Sequence, residues 1–343
     1  NIEVQCCGVA ILMLIWYFSL RQKPLGLESK KLFLLTMGMT SFCLVLDIVS
    51  VVAICYRERI PVFLLAVICK TYIASLIWVG YCGLIYSSND FVVTKENWRK
   101  KNRIYTVFAL TGTVLIYVLP IYYYHEGPVI YTYGPSCIAT YIFALLFVLA
   151  TVYKVGVRGK EMNPKRRRAI LIWMFIWIVA AVTQFLNASL LLVGFTSAIG
   201  VVILFFELEN PEASLDKETG AYNAHALGEY AKQLYRRQES FSALLLALND
   251  AAVASEEDNS AQVSVLLRSV VRHAEKLKDV KVFKTLEREL ILMTAGGERI
   301  QEVFQDVKRY MENVWRENRG EALSLVSPSY VLLPDSSMLR NVE

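Results

Sequence analysis

Seven long apolar runs fill the first 210 residues, and shorter segments of mixed polarity fill the rest. The runs are Val4–Leu20, Leu32–Tyr56, Pro61–Tyr86, Ile104–Tyr124, Ile130–Tyr153, Ala169–Leu191 and Phe195–Glu207. A helix that crosses a bilayer needs about 20 mainly apolar residues, so the first and last runs are short. The pattern predicts an α-helical membrane bundle of about seven helices over residues 1–209. Beyond it the periodicity changes. Asn223–Arg237, Ser260–Leu277 and Glu298–Arg316 predict helices, and Ser240–Leu248 a buried strand. Val280–Thr294 predicts a β-hairpin, and Ala322–Leu333 one or two strands. That order of elements suits an α/β sandwich of the ferredoxin-like sort over residues 210–343.

Composition sharpens the division. The chain is 55% hydrophobic and 20% charged, too apolar for an ordinary soluble protein. Through Asn210 there are 19 Lys and Arg against 10 Asp and Glu, a net charge of +9. From Pro211 the balance is 17 against 21, a net of −4, which speaks against nucleic acid as a partner. All seven cysteines precede Gly156 with no metal-ligand spacing, and they read as buried small hydrophobes.

With the N-terminus outside, sixteen basic residues fall on the inner side of the predicted spans, and only Arg57 and Arg59 fall outside. Insertion favours that sidedness, which makes the C-terminal domain cytoplasmic. The run Lys165–Arg168 reads as a topogenic anchor.

Two ionisable residues lie deep in the second and third runs, Asp47 and Lys70. Counted from the loop near Glu58, they fall at nearly equal depth, so an antiparallel helix pair predicts an intramembrane ion pair. It would either fix helix packing or act as a switch opened by a ligand or a proton. Tyr124, His125 and Glu126 lie in the longest outer loop. They read as part of an aromatic belt or as the mouth of an outer ligand site.

Nine residues past the end of the last run stands Asp216–Asn223, D-K-E-T-G-A-Y-N. It resembles the opening signature of GGDEF domains, the diguanylate cyclase family, in the form D-x-L-T-G-L-x-N-R. Asp216, Thr219, Gly220 and Asn223 carry the match, and the resemblance extends over residues 210–335. It implies a cytoplasmic cyclic-dinucleotide signalling module in a bacterial inner membrane protein. It also implies a last helix and strand after Leu333, and leaves open a further domain, such as an EAL-type phosphodiesterase, past Glu343.

The positions that the resemblance assigns to chemistry depart from the family. Ala247 and Asn249 stand where it has D-x-D, and Ser255 where an Asn reads guanine. Leu286, Glu287 and Arg288 replace G-G-D, while Glu289 and Leu290 keep the E-F character. The glycines would let backbone approach phosphate, and a two-metal site needs oxygen ligands that Ala247 lacks. Mg and GTP are therefore expected only of an active member. Lys276–Asp279, K-L-K-D, resembles the family's inhibitory R-x-x-D one residue out of register. It reads as a dinucleotide site or a solvated charged turn.

These residues point to a membrane signalling receptor with no cofactor. Its degenerate GGDEF-like domain would act by binding a nucleotide or a partner, as a homodimer or with another signalling protein. The alternatives are an active cyclic-di-GMP enzyme, and a transporter or lipid-binding membrane protein with an accessory domain.

Overall fold

Helices form wherever the long apolar runs stand, because backbone groups cut off from water must bond within their own segment. The computed structural model describes residues 2–338 except 22, 24, 92–94, 127, 128, 188, 189, 210–213, 251–255, 297, 298 and 318–325. The chain divides into two compact units, Asn1–Asn210 and Pro211–Glu343.

Among its described residues the first unit holds α1 (Ile2–Leu20), α2 (Glu28–Cys55), α3 (Val62–Ser88), α4 (Lys95–Val118), α5 (Pro135–Arg158), α6 (Pro164–Leu186) and α7 (Leu192–Leu208). Five of them, α1, α2, α3, α5 and α6, are long and apolar enough to cross a membrane. The apolar parts of the other two, Asn102–Val118 and Leu192–Leu208, are shorter.

The fourth and fifth runs need correction. The fourth helix stops at Val118 rather than Tyr124, and the fifth starts at Pro135 rather than Ile130. Between them β1 (Tyr122–Glu126) and β2 (Val129–Tyr133) pair antiparallel, from Tyr122 opposite Tyr133 to Glu126 opposite Val129. Pro120 cannot continue the helix ladder. The tyrosines and β-branched residues beyond it suit a pleated ribbon, with Tyr124 stacked on Tyr131 at 4.9 Å. The cysteines also divide. Cys43, Cys69 and Cys82 are buried, whereas Cys6, Cys7 and Cys55 lie exposed on the outside of the bundle.

Small residues set how closely helices approach, as expected where no water drives them together. Trp173 of α6 is fully buried and lies over Gly83 of α3 and Gly200 of α7. A methyl group at Gly200 would collide with the Trp173 indole.

The second unit contains β3 (Tyr222–Asn223), α8 (Ala224–Arg237), β4 (Phe241–Asp250), α9 (Glu256–Ala274), β5 (Val280–Lys284), β6 (Glu289–Ala295), α10 (Ile300–Glu317) and β7 (Val326–Leu333). The sheet order is β3-β5-β6-β4-β7, with β3 parallel to β5 and every other neighbour antiparallel. Pro328 is tolerated because β7 is an edge strand.

Alternation along each strand divides side chains between the two faces. Leu244, Leu246, Leu248, Val280, Val282, Leu290 and Leu292 join a core with Leu267, Val271, Val303 and Val307 of α9 and α10. Those two helices are linked by His273 and Asp306 at 2.7 Å, with Tyr310 stacked on the imidazole at 4.0 Å. Phe283 takes the opposite parity on β5 and stacks on Tyr230 of α8 at 5.8 Å.

Gly200→Ala should lower the stability of the first unit by about 1–3 kcal/mol through overpacking. Gly156→Ala, where nothing lies within 4 Å, should be neutral. Thermal unfolding of both variants in detergent checks the contrast.

Candidate functional site

The D-K-E-T-G turn is built from its own polar groups. Asp216 Oδ1 accepts from Thr219 N at 2.9 Å and from Thr219 Oγ1 at 2.7 Å. Gly220 N donates to the Asp216 carbonyl at 2.8 Å, with Gly220 at φ 75°, a backbone region that favours glycine. Asn223 then caps α8, its Oδ1 accepting from Ala226 N at 3.0 Å. All four matched residues therefore have local structural work.

The turn is also clasped from a distance. Lys284 of β5, its side chain only 9% exposed, reaches Glu218 Oε2 at 2.9 Å and Asp216 Oδ1 at 3.3 Å. Arg268 Nε of α9 donates to the Glu218 carbonyl at 2.6 Å, and Ser264 Oγ donates to Glu218 Oε2 at 3.3 Å. Burial alone would raise the Asp216 carboxyl, but the Thr219 bonds and the Lys284 charge outweigh it and hold it below its ordinary 3.8. Lys284 hydrogen bonding and charge depress Glu218 as well. Burial would lower Lys284, yet its bond to Glu218 and the charge of Asp216 raise it above 10.5. Lys284 and Glu218 were not singled out from the sequence.

The hairpin assigned to phosphate binding joins β5 to β6. Its turn closes through Glu289 N to the Leu286 carbonyl at 3.3 Å and Thr285 N to the Glu289 carbonyl at 3.3 Å. Leu286, Glu287 and Arg288 all have negative φ, so no residue here requires glycine. Leu286 is 64% exposed. The register places Ala247 of β4 directly opposite Glu289, and Leu248 N donates to the Arg288 carbonyl at 3.0 Å. These sequence-assigned positions therefore converge, but not as a metal site. Ala247 offers no ligand atom, the Asn249 amide donates to Ser329 Oγ at 2.6 Å, and Glu289 accepts from the Thr285 hydroxyl at 3.3 Å. No group of three or more His, Cys, Asp or Glu gathers among the described residues. A Mg-bound nucleotide does not fit this donor set. Ser255 lies outside the described residues.

Lys276 lies just past the end of α9 and Asp279 in the turn after it. Asp279 stands at φ 63° in an exposed turn and pairs with Arg299 at 3.7 Å. Lys276 N donates to the His273 carbonyl at 3.1 Å, continuing the end of α9.

In the first unit Asp47 and Lys70 are not partners. Asp47 is fully buried, and its Oδ2 accepts from Gln5 Nε2 of α1 at 2.9 Å. Lys70 Nζ donates to the carbonyls of Tyr117 and Leu119 at 2.8 and 2.7 Å, at the end of α4. Equal depth did not mean contact: Asp47 lies against Gln5 of α1, Gly194 of α7 and Tyr72 of α3, whereas Lys70 turns to the end of α4. Each finds a neutral dipole instead of a counter-charge. Tyr124, His125 and Glu126 fall on β1, where the Tyr124 hydroxyl donates to Glu126 Oε2 at 2.7 Å. His125 stands opposite Ile130.

The Lys165–Arg168 run is also more than a surface anchor. Arg166 is 9% exposed, donates to the Tyr86 carbonyl at 3.1 Å and stacks over the Tyr86 ring at 4.4 Å. Tyr86 in turn donates to Glu209 Oε1 at 2.9 Å, just past α7.

No protein-family model matches the chain, and no curated protein matches it.

Two predictions follow the geometry. Asp47→Asn and Lys70→Met should each destabilise the bundle, with losses that add to within about 0.5 kcal/mol in the double variant, as for uncoupled sites. Thermal unfolding of the four proteins measures the coupling. Lys284→Met should destabilise the second unit by about 1–3 kcal/mol at neutral pH, chiefly by stranding the half-buried Asp216 carboxylate. The Asp216 share, from a lowered value, is complete above 3.8 and lost as pH falls through that lowered value. The Lys284 share, from a raised value, is complete below 10.5 and lost as pH rises through that raised value. Hydrogen exchange on the full chain should show a wild-type advantage that is flat from about pH 5 to about pH 9 and shrinks outside it.

Proposed function

We propose that the chain is a membrane signalling receptor. On this reading, about seven membrane helices carry a ferredoxin-like, GGDEF-type domain that has lost catalysis and acts by binding a nucleotide or a partner. The observation that carries it is the register of β4 against β6. Ala247 sits opposite Glu289 beside a turn of Leu286, Glu287 and Arg288. Strand and hairpin meet where the resemblance puts its metal and phosphates, while the ligand atoms and the glycine conformation are gone.

Further support comes from the strand order. Without the two-residue β3, the order β5-β6-β4-β7 and its antiparallel pairing follow a β-α-β-β-α-β chain. The helix bundle ends at α7 a few residues before the Asp216 turn. The second unit can therefore be addressed through very little chain. Basic residues clustered on one side of the helices favour a second unit in the cytoplasm, and the resemblance implies a bacterial inner membrane.

The test is turnover by the full-length protein in lipid nanodiscs. With Mg and GTP it should form no cyclic dinucleotide above a protein-free control. Sustained synthesis, abolished by Glu289→Ala, would sink the degenerate reading.

A further inference from the structure

Between α3, α5 and α6, beside β2, lies a cavity of about 240 Å³. An engineered protein cavity of about 150 Å³ takes up benzene, so this one has room for a ring and a short arm. Tyr72, Tyr131, Tyr133 and Tyr141 line it, with Gln184 and Leu191. Among the described residues, none in its lining is Lys, Arg, His, Asp or Glu.

Tyr72 connects this wall to a buried polar cluster. It is 4% exposed, and its hydroxyl makes no hydrogen bond. Its neighbour Asp47 keeps one carboxylate oxygen, Oδ1, without a partner, and Gln5 Oε1 is likewise unpartnered. The Tyr72 hydroxyl interacts with the Asp47 charge but misses hydrogen-bond geometry. Lys70, the cation of the same helix, is committed to the carbonyls of Tyr117 and Leu119. An apolar setting makes a carboxylate without a positive partner costly. A cation nearby would offset that cost.

Tyrosine faces attract one through the negative potential over the ring. An anion would meet no positive side chain in the lining and a carboxylate behind the wall. We propose that the cavity binds a small organic ammonium ion with an apolar, ring-sized body. The tyrosine faces hold its charge, and Asp47 behind Tyr72 balances it.

The site also touches the start of α7. Leu191 lines the cavity, and its carbonyl accepts from Gln5 Nε2 at 2.7 Å. The same amide nitrogen donates to Asp47. Leu191 caps α7 in left-handed backbone, φ 43°, a strained setting for a side-chain residue. Gln184, also in the lining, accepts from Val193 N at 2.9 Å in the first turn of α7. Occupancy therefore bears on the last helix before the second unit. The inference rests on the receptor reading for this coupling alone.

Calorimetric titration of the full chain in nanodiscs tests it, with 2-phenylethylammonium, 2-phenylethanol and 3-phenylpropionate as probes. The ammonium should bind with a Kd below about 1 mM and at least about tenfold more tightly than the alcohol, and the carboxylate should not bind. Asp47→Asn and Tyr141→Leu should each weaken the ammonium about tenfold or more. Tyr141→Leu alters only the wall, so it decides alone if Asp47→Asn does not fold. A smaller preference over the alcohol, no ammonium binding at about 10 mM, or unchanged affinity in folded Tyr141→Leu overturns the proposal. Binding is read on the protein itself. A second unit that proved to have no signalling role would sink the receptor reading and leave this result standing.

Discussion

Inside a bundle of apolar helices a polar atom has no water to fall back on, and the first unit is arranged around that constraint. The end of α4 shows it most clearly. Pro120 interrupts the helix and leaves carbonyls without amide donors. Ser136 Oγ lies within 3.0 Å of the carbonyls of Ile116, Leu119 and Pro120, and Lys70 takes those of Tyr117 and Leu119. At the end of α3, Arg166 treats Tyr86 in the same way. Lys70 and Arg166 both donate to carbonyls at helix ends.

The second unit uses a buried cation differently. Lys284 is nearly as hidden as Arg166, but its partners are two carboxylates of one short turn. Glu218 is itself exposed, so that pair alone contributes little. The geometry is held because Arg268 bonds the Glu218 carbonyl, and Thr219 donates twice to the same Asp216 oxygen that Lys284 reaches. A network of this kind is worth more than its isolated pairs.

Hydrophobic period made the helices readable, because burial in lipid or core leaves little freedom over which residues are apolar. It failed at Tyr122–Tyr133 for a definite reason. Tyrosine counts as apolar in a run, yet in a short stretch of tyrosines with Val, Ile and Thr it packs well on a ribbon. Depth along a helix was legible too, since Asp47 and Lys70 can be counted from Glu58. Direction around the helix was not, and direction decides the partner. The Asp216 turn and the β5–β6 hairpin were visible as local patterns. Lys284 lies 66 residues from Glu218, and Gln5 lies 42 from Asp47, distances at which one sequence alone carries no pairing signal.

The span of those contacts sets an order in time. The Asp216 turn leaves the ribosome well before Arg268 and Lys284, the residues that grip it. Until α9 and β5 have been made, the Asp216 turn is shaped by local bonds alone, among them those of Thr219 and Gly220 and the Asp216 amide to the Ala221 carbonyl. A chain that stalls or misfolds after α8 would keep that turn loose, open to proteases or chaperones, whereas a completed one closes it with a single buried lysine.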